Sequence, residues 1–272
     1  MGPDQLAQMG APQAPTGLER YLFCRLAGEH QDTWLDNLGF GAVALGAEIF
    51  GIVELIGVRA KPKFLSDEEK RRAGARGFEI FSQGADGLLR VLRRIHHDAG
   101  SPISLSRGNY GCLFNWLEQS NAEQYEPLRE LVRQFFVETY PIGEGELVLG
   151  KACVARRVHS VETLRRDLGL GRRQTLELLS ENGFLNSEGR TGGSAAGILL
   201  DAQVVAPLVG SFAGAICQVA AQKKINAPRA QFDALVAGGL IKPIAGSPVG
   251  RPYYDEEQLD AFLAGIVPRA EA

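Results

Sequence analysis

The sequence predicts a mainly α-helical protein: a helical N-terminal domain followed by tandem winged helix-turn-helix units. Three observations carry this. The C-terminal half contains one unit twice. The N-terminal half is marked by helix-capping signals and apolar residues at helical spacing. The composition, 45% hydrophobic and 22% charged over 272 residues, is that of a globular chain with enough apolar material for two cores.

In chain order, Met1 to Pro15 is rich in Gly, Pro, Gln and Ala and lacks the basic and apolar regions of a secretory signal, so residues 1–16 read as a flexible tail. Leu18, Tyr21 and Leu22 place a short helix at the start of a domain spanning residues 17–145. The apolar stretch Phe40 to Val58 is interrupted by Glu48 and Glu54 and carries Gly39, Gly41, Gly46, Gly51 and Gly57. It is expected to form two amphipathic helices or loops in a core rather than a membrane span. Ser66 with Glu69 is a capping box that starts a helix running through Arg76. Leu88, Leu89, Leu92 and Ile95 define a further helix from Ala85 to His96, with His96-His97 as dipole partners at its end. Leu113, Trp116 and Leu117 form another apolar face, and Pro127 opens an amphipathic helix through Phe136. Pro141-Ile142-Gly143-Glu144-Gly145 breaks the pattern, and a linker is expected between Pro141 and Gly150.

The duplicated unit follows, its copies expected at residues 151–210 and 211–268. Copy one has Ser160 as N-cap with Thr163 three residues on, Leu164 and Leu168 facing a core, a turn at Gly169-Leu170-Gly171, and Leu176 and Leu179 on a second helix. Copy two turns at Ile225-Asn226-Ala227-Pro228 and continues through Phe232 and Leu235. Leu179/Leu235 and Gly183/Gly239 share an offset of 56, and both copies then read Gly followed by two apolar residues. Gly-rich turns at Gly192-Gly193 and at Gly246 with Gly250 are the expected wings, and Asp255 with Gln258 is a capping box for the final helix.

In a helix-turn-helix that docks in a major groove, the start of the second helix meets base edges. Those residues are Arg172, Arg173, Gln174 and Thr175 in copy one, and Arg229 with Gln231 in copy two. Arg suits guanine edges and Gln suits adenine. Lys223, Lys224, Lys242 and Arg251 could take phosphates around copy two. The same arginines would also serve as solvated charges on a winged helix that binds only protein. The net charge of −3 divides into −5 for residues 1–150 and +2 for 151–272. A mildly basic half permits double-stranded DNA as partner but implies weak binding by this chain alone.

Catalytic and metal chemistry are not expected. Cys24, Cys112, Cys153 and Cys217 are scattered without CxxC or His at ligand spacing, and read as buried free thiols in a cytoplasmic protein. No phosphate-binding loop is present, and Ser104, Ser106 and Ser160 lack a nucleophile elbow. No cofactor is expected.

Several segments together resemble the TniQ family of transposition target-selection proteins. The carrying residues are Glu19-Arg20-Tyr21-Leu22-Phe23-Cys24-Arg25-Leu26, Leu35-Asp36-Asn37-Leu38, Gly77-Phe78-Glu79-Ile80, Gly84-Ala85-Asp86-Gly87-Leu88-Leu89, Tyr110-Gly111-Cys112-Leu113-Phe114-Asn115-Trp116-Leu117, Tyr125-Glu126-Pro127-Leu128-Arg129, and His159-Ser160-Val161 through Gly183-Phe184-Leu185. The resemblance spans roughly residues 19–260, and departs from the family where Cys/His zinc fingers would stand. It implies a DNA-binding adaptor for target selection that recruits an AAA+ ATPase, which in turn brings the transposase. In some systems such proteins ride on an RNA-guided complex. A homodimer is a further expected state. The alternatives are a transcription regulator, with the N-terminal half as ligand or dimerisation domain, and a protein-interaction scaffold that never touches DNA.

Overall fold

The computed structural model describes residues 14–31, 33–101, 103–185, 197–247 and 250–266. The chain is mainly helical and divides into two units: residues 1–138 with 146–152, and residues 139–145 with 153–272. No described helix is long and apolar enough to cross a membrane.

The first unit begins with α1 (Gly17–Leu26), started by a Thr16–Glu19 capping box. Tyr21 on its buried face donates its hydroxyl to Asp36 at 2.7 Å. Burial and that carboxylate push its phenol up to about 12. The stretch expected to break into two pieces is instead one helix, α2 (Phe40–Leu55). Its glycines serve packing. A Cβ on Gly51 would lie 1.8 Å from the Ala73 carbonyl of α3 (Asp67–Phe81), and one on Gly77 would lie 1.7 Å from that of Ala47. The two helices thus touch backbone to backbone through reciprocal small-residue pairs one turn apart. Helix α3 starts at the expected Ser66–Glu69 box but runs five residues past Arg76.

Helix α4 (Gly84–Asp98) buries Leu88, Val91, Leu92 and Ile95, while Leu89 is only half-buried. Helix α5 (Arg107–Gln119) is broken at Gly111 (φ 48°, ψ −120°), where a Cβ would sit 1.9 Å from the Val58 carbonyl. That carbonyl accepts the Cys112 N–H at 2.9 Å. Helix α6 (Glu126–Thr139) buries Arg129 and Arg133. Both donate to the carbonyl of Leu149, and Arg133 also to that of Val148, between strands β1 (Leu147–Val148) and β2 (Lys151–Ala152). The last four residues of the expected linker are therefore part of a hairpin pinned to the first unit by two buried guanidinium groups, whose charge strengthens their hydrogen bonds to its carbonyls.

The second unit is a structural repeat. The first repeat is β3 (Val158–Ser160), α7 (Val161–Asp167), α8 (Arg172–Glu181), β4 (Leu199–Asp201) and α9 (Ala202–Ser211). The second is β5 (Ala215–Cys217), α10 (Gln218–Lys224), α11 (Arg229–Ala237), β6 (Tyr253–Asp255) and α12 (Glu256–Ile266). The offset is 57 from β3/β5 to the start of α8/α11. It falls to 56 at Gly183/Gly239 because α11, at 9 residues, is one shorter than α8. Gly169 (φ 64°) and Asn226 (φ 51°) occupy the same turn position, where Gly and Asn tolerate left-handed backbone. The Ser160–Thr163 box is formed. Asp255 caps Glu257, but Gln258 accepts the Lys242 N–H instead of closing the expected box. The Gly192-Gly193 turn lies outside the described residues.

Antiparallel β5 and β6 pair Ile216 with Tyr254 and Cys217 with Tyr253. Ile216 and Tyr254 pack with Ala221, Phe232, Ile241 and Leu259, the core of the second repeat. Ala215 and Tyr253 belong instead to the first repeat's core, with Leu164, Leu178, Leu179, Val205 and Phe212. Tyr253 meets the Phe212 ring edge-on at 5.8 Å. Alternation along one strand therefore sends neighbouring tyrosines into two cores. Tyr253→Ala is expected to destabilise the second unit by about 3 kcal/mol or more, because it empties a large buried site. Urea unfolding of the full chain, followed by circular dichroism, checks this through the shift in midpoint.

Candidate nucleic-acid interface

Helix α8 follows a turn whose Gly171 N–H donates to the Gln174 side chain at 2.8 Å. Gln174 thus caps its own helix. Arg172 and Arg173 are exposed at the helix start, and Arg172 has no ion-pair partner among the described residues. Arg173 Nε lies 3.3 Å from Glu177, one turn on, the i,i+4 spacing at which opposite charges meet.

The other oxygen of Glu177 lies 3.8 Å from Arg251, on the connection between α11 and β6. This connection reaches α8 because Ile244 and Tyr253 pack in the first repeat's core. The Asn182 amide also donates to the Gly246 carbonyl at 3.4 Å. Arg251, expected to support the second copy, is brought to the second helix of the first.

Two candidates are corrected. Thr175 is fully buried, and its hydroxyl donates to the Gly171 carbonyl at 3.1 Å. With Gly171 as N-cap, positions 175, 178 and 179 form the inward stripe, so Thr175 cannot meet a groove. Leu176 lies half-buried at the rim and Leu178, not anticipated, is in the centre. Lys224 lies 2.9 Å from Glu256 and 2.8 Å from Asp260, and both hold its ammonium in the charged form. It ties α10 to α12.

In the second repeat Arg229 faces Asp233 at 3.7 Å, while Gln231 and Lys223 are exposed. These three do not join the cluster of Arg173, Glu177 and Arg251. Sequence reasoning missed Glu177 as a member, although its spacing from Arg173 was legible. On α7, Glu162 is held down to about 2, chiefly by its hydrogen bond from Arg165.

Of the four thiols expected to be buried, Cys153 is; Cys24 and Cys112 are half-buried, and Cys217 is exposed at the mouth of α10. No cluster of three or more metal-ligating side chains occurs among the described residues. No protein-family model, curated protein or solved structure matches this chain.

His159 is buried on β3, with Nδ1 3.6 Å from Asp167. Burial, then Arg156, lower its pKa below 6.5, and Asp167 opposes this. The folded state therefore resists a proton that the unfolded chain accepts. The stability from neutral His159 is complete above about pH 6.5 and is lost as pH falls toward the lower folded value. Stability measured between pH 7 and 5 should decline, and His159→Gln should flatten the decline.

Proposed function

We propose that this chain is a DNA-binding adaptor for transposon target-site selection. Its second unit is read as two winged helix-turn-helix modules with a single reading helix, α8. The observation that carries the reading is the exposed set Arg172, Arg173 and Arg251, drawn from both repeats to helix α8. In this reading Arg172 and Arg173 meet base edges and Arg251 a neighbouring phosphate. The short strand pairs β3–β4 and β5–β6 each close a helix pair, as wings do.

Weak intrinsic affinity follows from the same geometry. Two of the three cations already share a carboxylate, Gln174 is occupied as a cap, and the half carries only +2. Glu177, beside Arg173 and Arg251, offsets part of their charge and repels an approaching phosphate. Such a protein works with partners: an AAA+ ATPase of a transposition complex, an RNA-guided complex, or a second copy of itself. Transposition rests on the TniQ resemblance, two of whose segments meet in the first unit through Tyr21 and Phe78. The proposal places it in the cytoplasm, without catalysis of its own.

A protein-interaction scaffold is the second reading, favoured by the pairing of Arg173 and Arg251 with Glu177. Arg172→Ala with Arg173→Ala separates the two. Duplex binding should fall several-fold or more, and the salt slope should fall by about 0.9 for each phosphate no longer neutralised. The melting temperature should not change, since both side chains are exposed. Unchanged binding by the double variant would remove α8 from the DNA contact and overturn this reading, and absence of duplex binding by the parent would favour the scaffold.

A further inference from the structure

The connection between α2 and α3 carries a second surface, independent of the nucleic-acid reading. From Leu55 to Ser66 it contains Arg59, Lys61 and Lys63 and no carboxylate, within a half of the chain whose net charge is −5. Elsewhere in the first unit Arg71, Arg76, Arg94, Arg107, Arg129 and Arg133 each hold a carboxylate. Arg59, Lys61 and Lys63 are exposed and have no ion-pair partner among the described residues. Of the flanking acids, Glu54 holds Arg76 and Arg94, Glu68 faces Arg71 and Glu69 closes the Ser66 cap, while Asp67 is exposed at the start of α3.

The same connection exposes Leu55 and Ile56 at 50% each and Phe64 at 71%, with the Lys63 ammonium 4.8 Å from the Phe64 ring centre. It is also held in place. The Val58 carbonyl is fixed by the Cys112 N–H at the Gly111 break. Turns close from Ala60 to Gly57 and from Phe64 to Lys61, and Pro62 restricts the chain between them. Cations and apolar side chains are thus displayed at little ordering cost, the condition under which a contact yields affinity.

The geometry points to a docking surface for an acidic segment of a partner protein that carries aliphatic or aromatic anchors. The three unpaired cations supply charge complementarity, and Leu55, Ile56 and Phe64 supply apolar contact. Aliphatic side chains do not stack on bases, and a single aromatic makes a poor platform for a nucleic-acid strand. Three cations are also fewer than the cluster that reads as an anionic-lipid site.

The test is fluorescence anisotropy of the full chain with a short labelled peptide of alternating glutamate and leucine. Companion peptides replace leucine by serine or glutamate by lysine. The parent should bind the first peptide at least about tenfold tighter than either companion. Arg59→Ala with Lys61→Ala and Lys63→Ala should cost about tenfold or more, as should Phe64→Ser, with unchanged circular dichroism. Arg172→Ala with Arg173→Ala should bind the peptide as the parent does, so failure of the DNA reading would leave this result intact. The proposal is overturned by absent binding, by equal binding of the serine peptide, or by variants that match the parent. It is equally overturned if phosphatidylserine vesicles or a thymidine oligonucleotide engage these residues more tightly than the peptide.

Discussion

The arrangement of the second unit depends on strand β6, whose adjacent tyrosines are buried in different cores. Tyr253 fills the first repeat beside Phe212, and Tyr254 fills the second against Phe232. Because side chains alternate across a strand, a slip of one residue would exchange the two rings and expose Arg251 to a different neighbour. Two repeats joined by a loose linker could each present a helix independently. Sharing a strand makes them one body, and that sharing carries Arg251 from the second repeat to helix α8 of the first.

A comparable economy of contact organises the first unit. Helices α2 and α3 approach until only glycine fits at positions 51 and 77, and Gly111 does the same for the turn around Val58. Close backbone packing leaves little room for adjustment, so the connection between α2 and α3 is displayed rigidly. The two buried arginines of α6 act differently, holding Leu149, a residue with φ of 47°, by its carbonyl. Hydrogen bonds from two charges offset the backbone strain of that turn.

What was legible in the sequence was local. Ser66 with Glu69, Ser160 with Thr163, and the left-handed caps at Gly183 and Gly239 all involve residues within one or two turns, and each forms. The repeat was also readable, because Gly and Asn at a turn are dictated by backbone conformation alone. The misreadings concern distance. The glycines of residues 40–58 resemble helix breakers until α3 is known to lie against them. Thr175 falls inward because the buried stripe of α8 runs through 175, 178 and 179 rather than 176 and 179. Lys224 is taken by carboxylates 32 and 36 positions away, and Arg251 reaches Glu177 across 74, separations at which spacing carries no signal.

Hydrogen exchange of the full chain with and without a DNA duplex, read by mass spectrometry, tests the central claim most directly. One composite reader predicts that duplex protects residues 172–179 and 250–256 together while leaving 229–236 unchanged. Protection of 229–236 without 172–179, or no protection of either helix, would contradict the account.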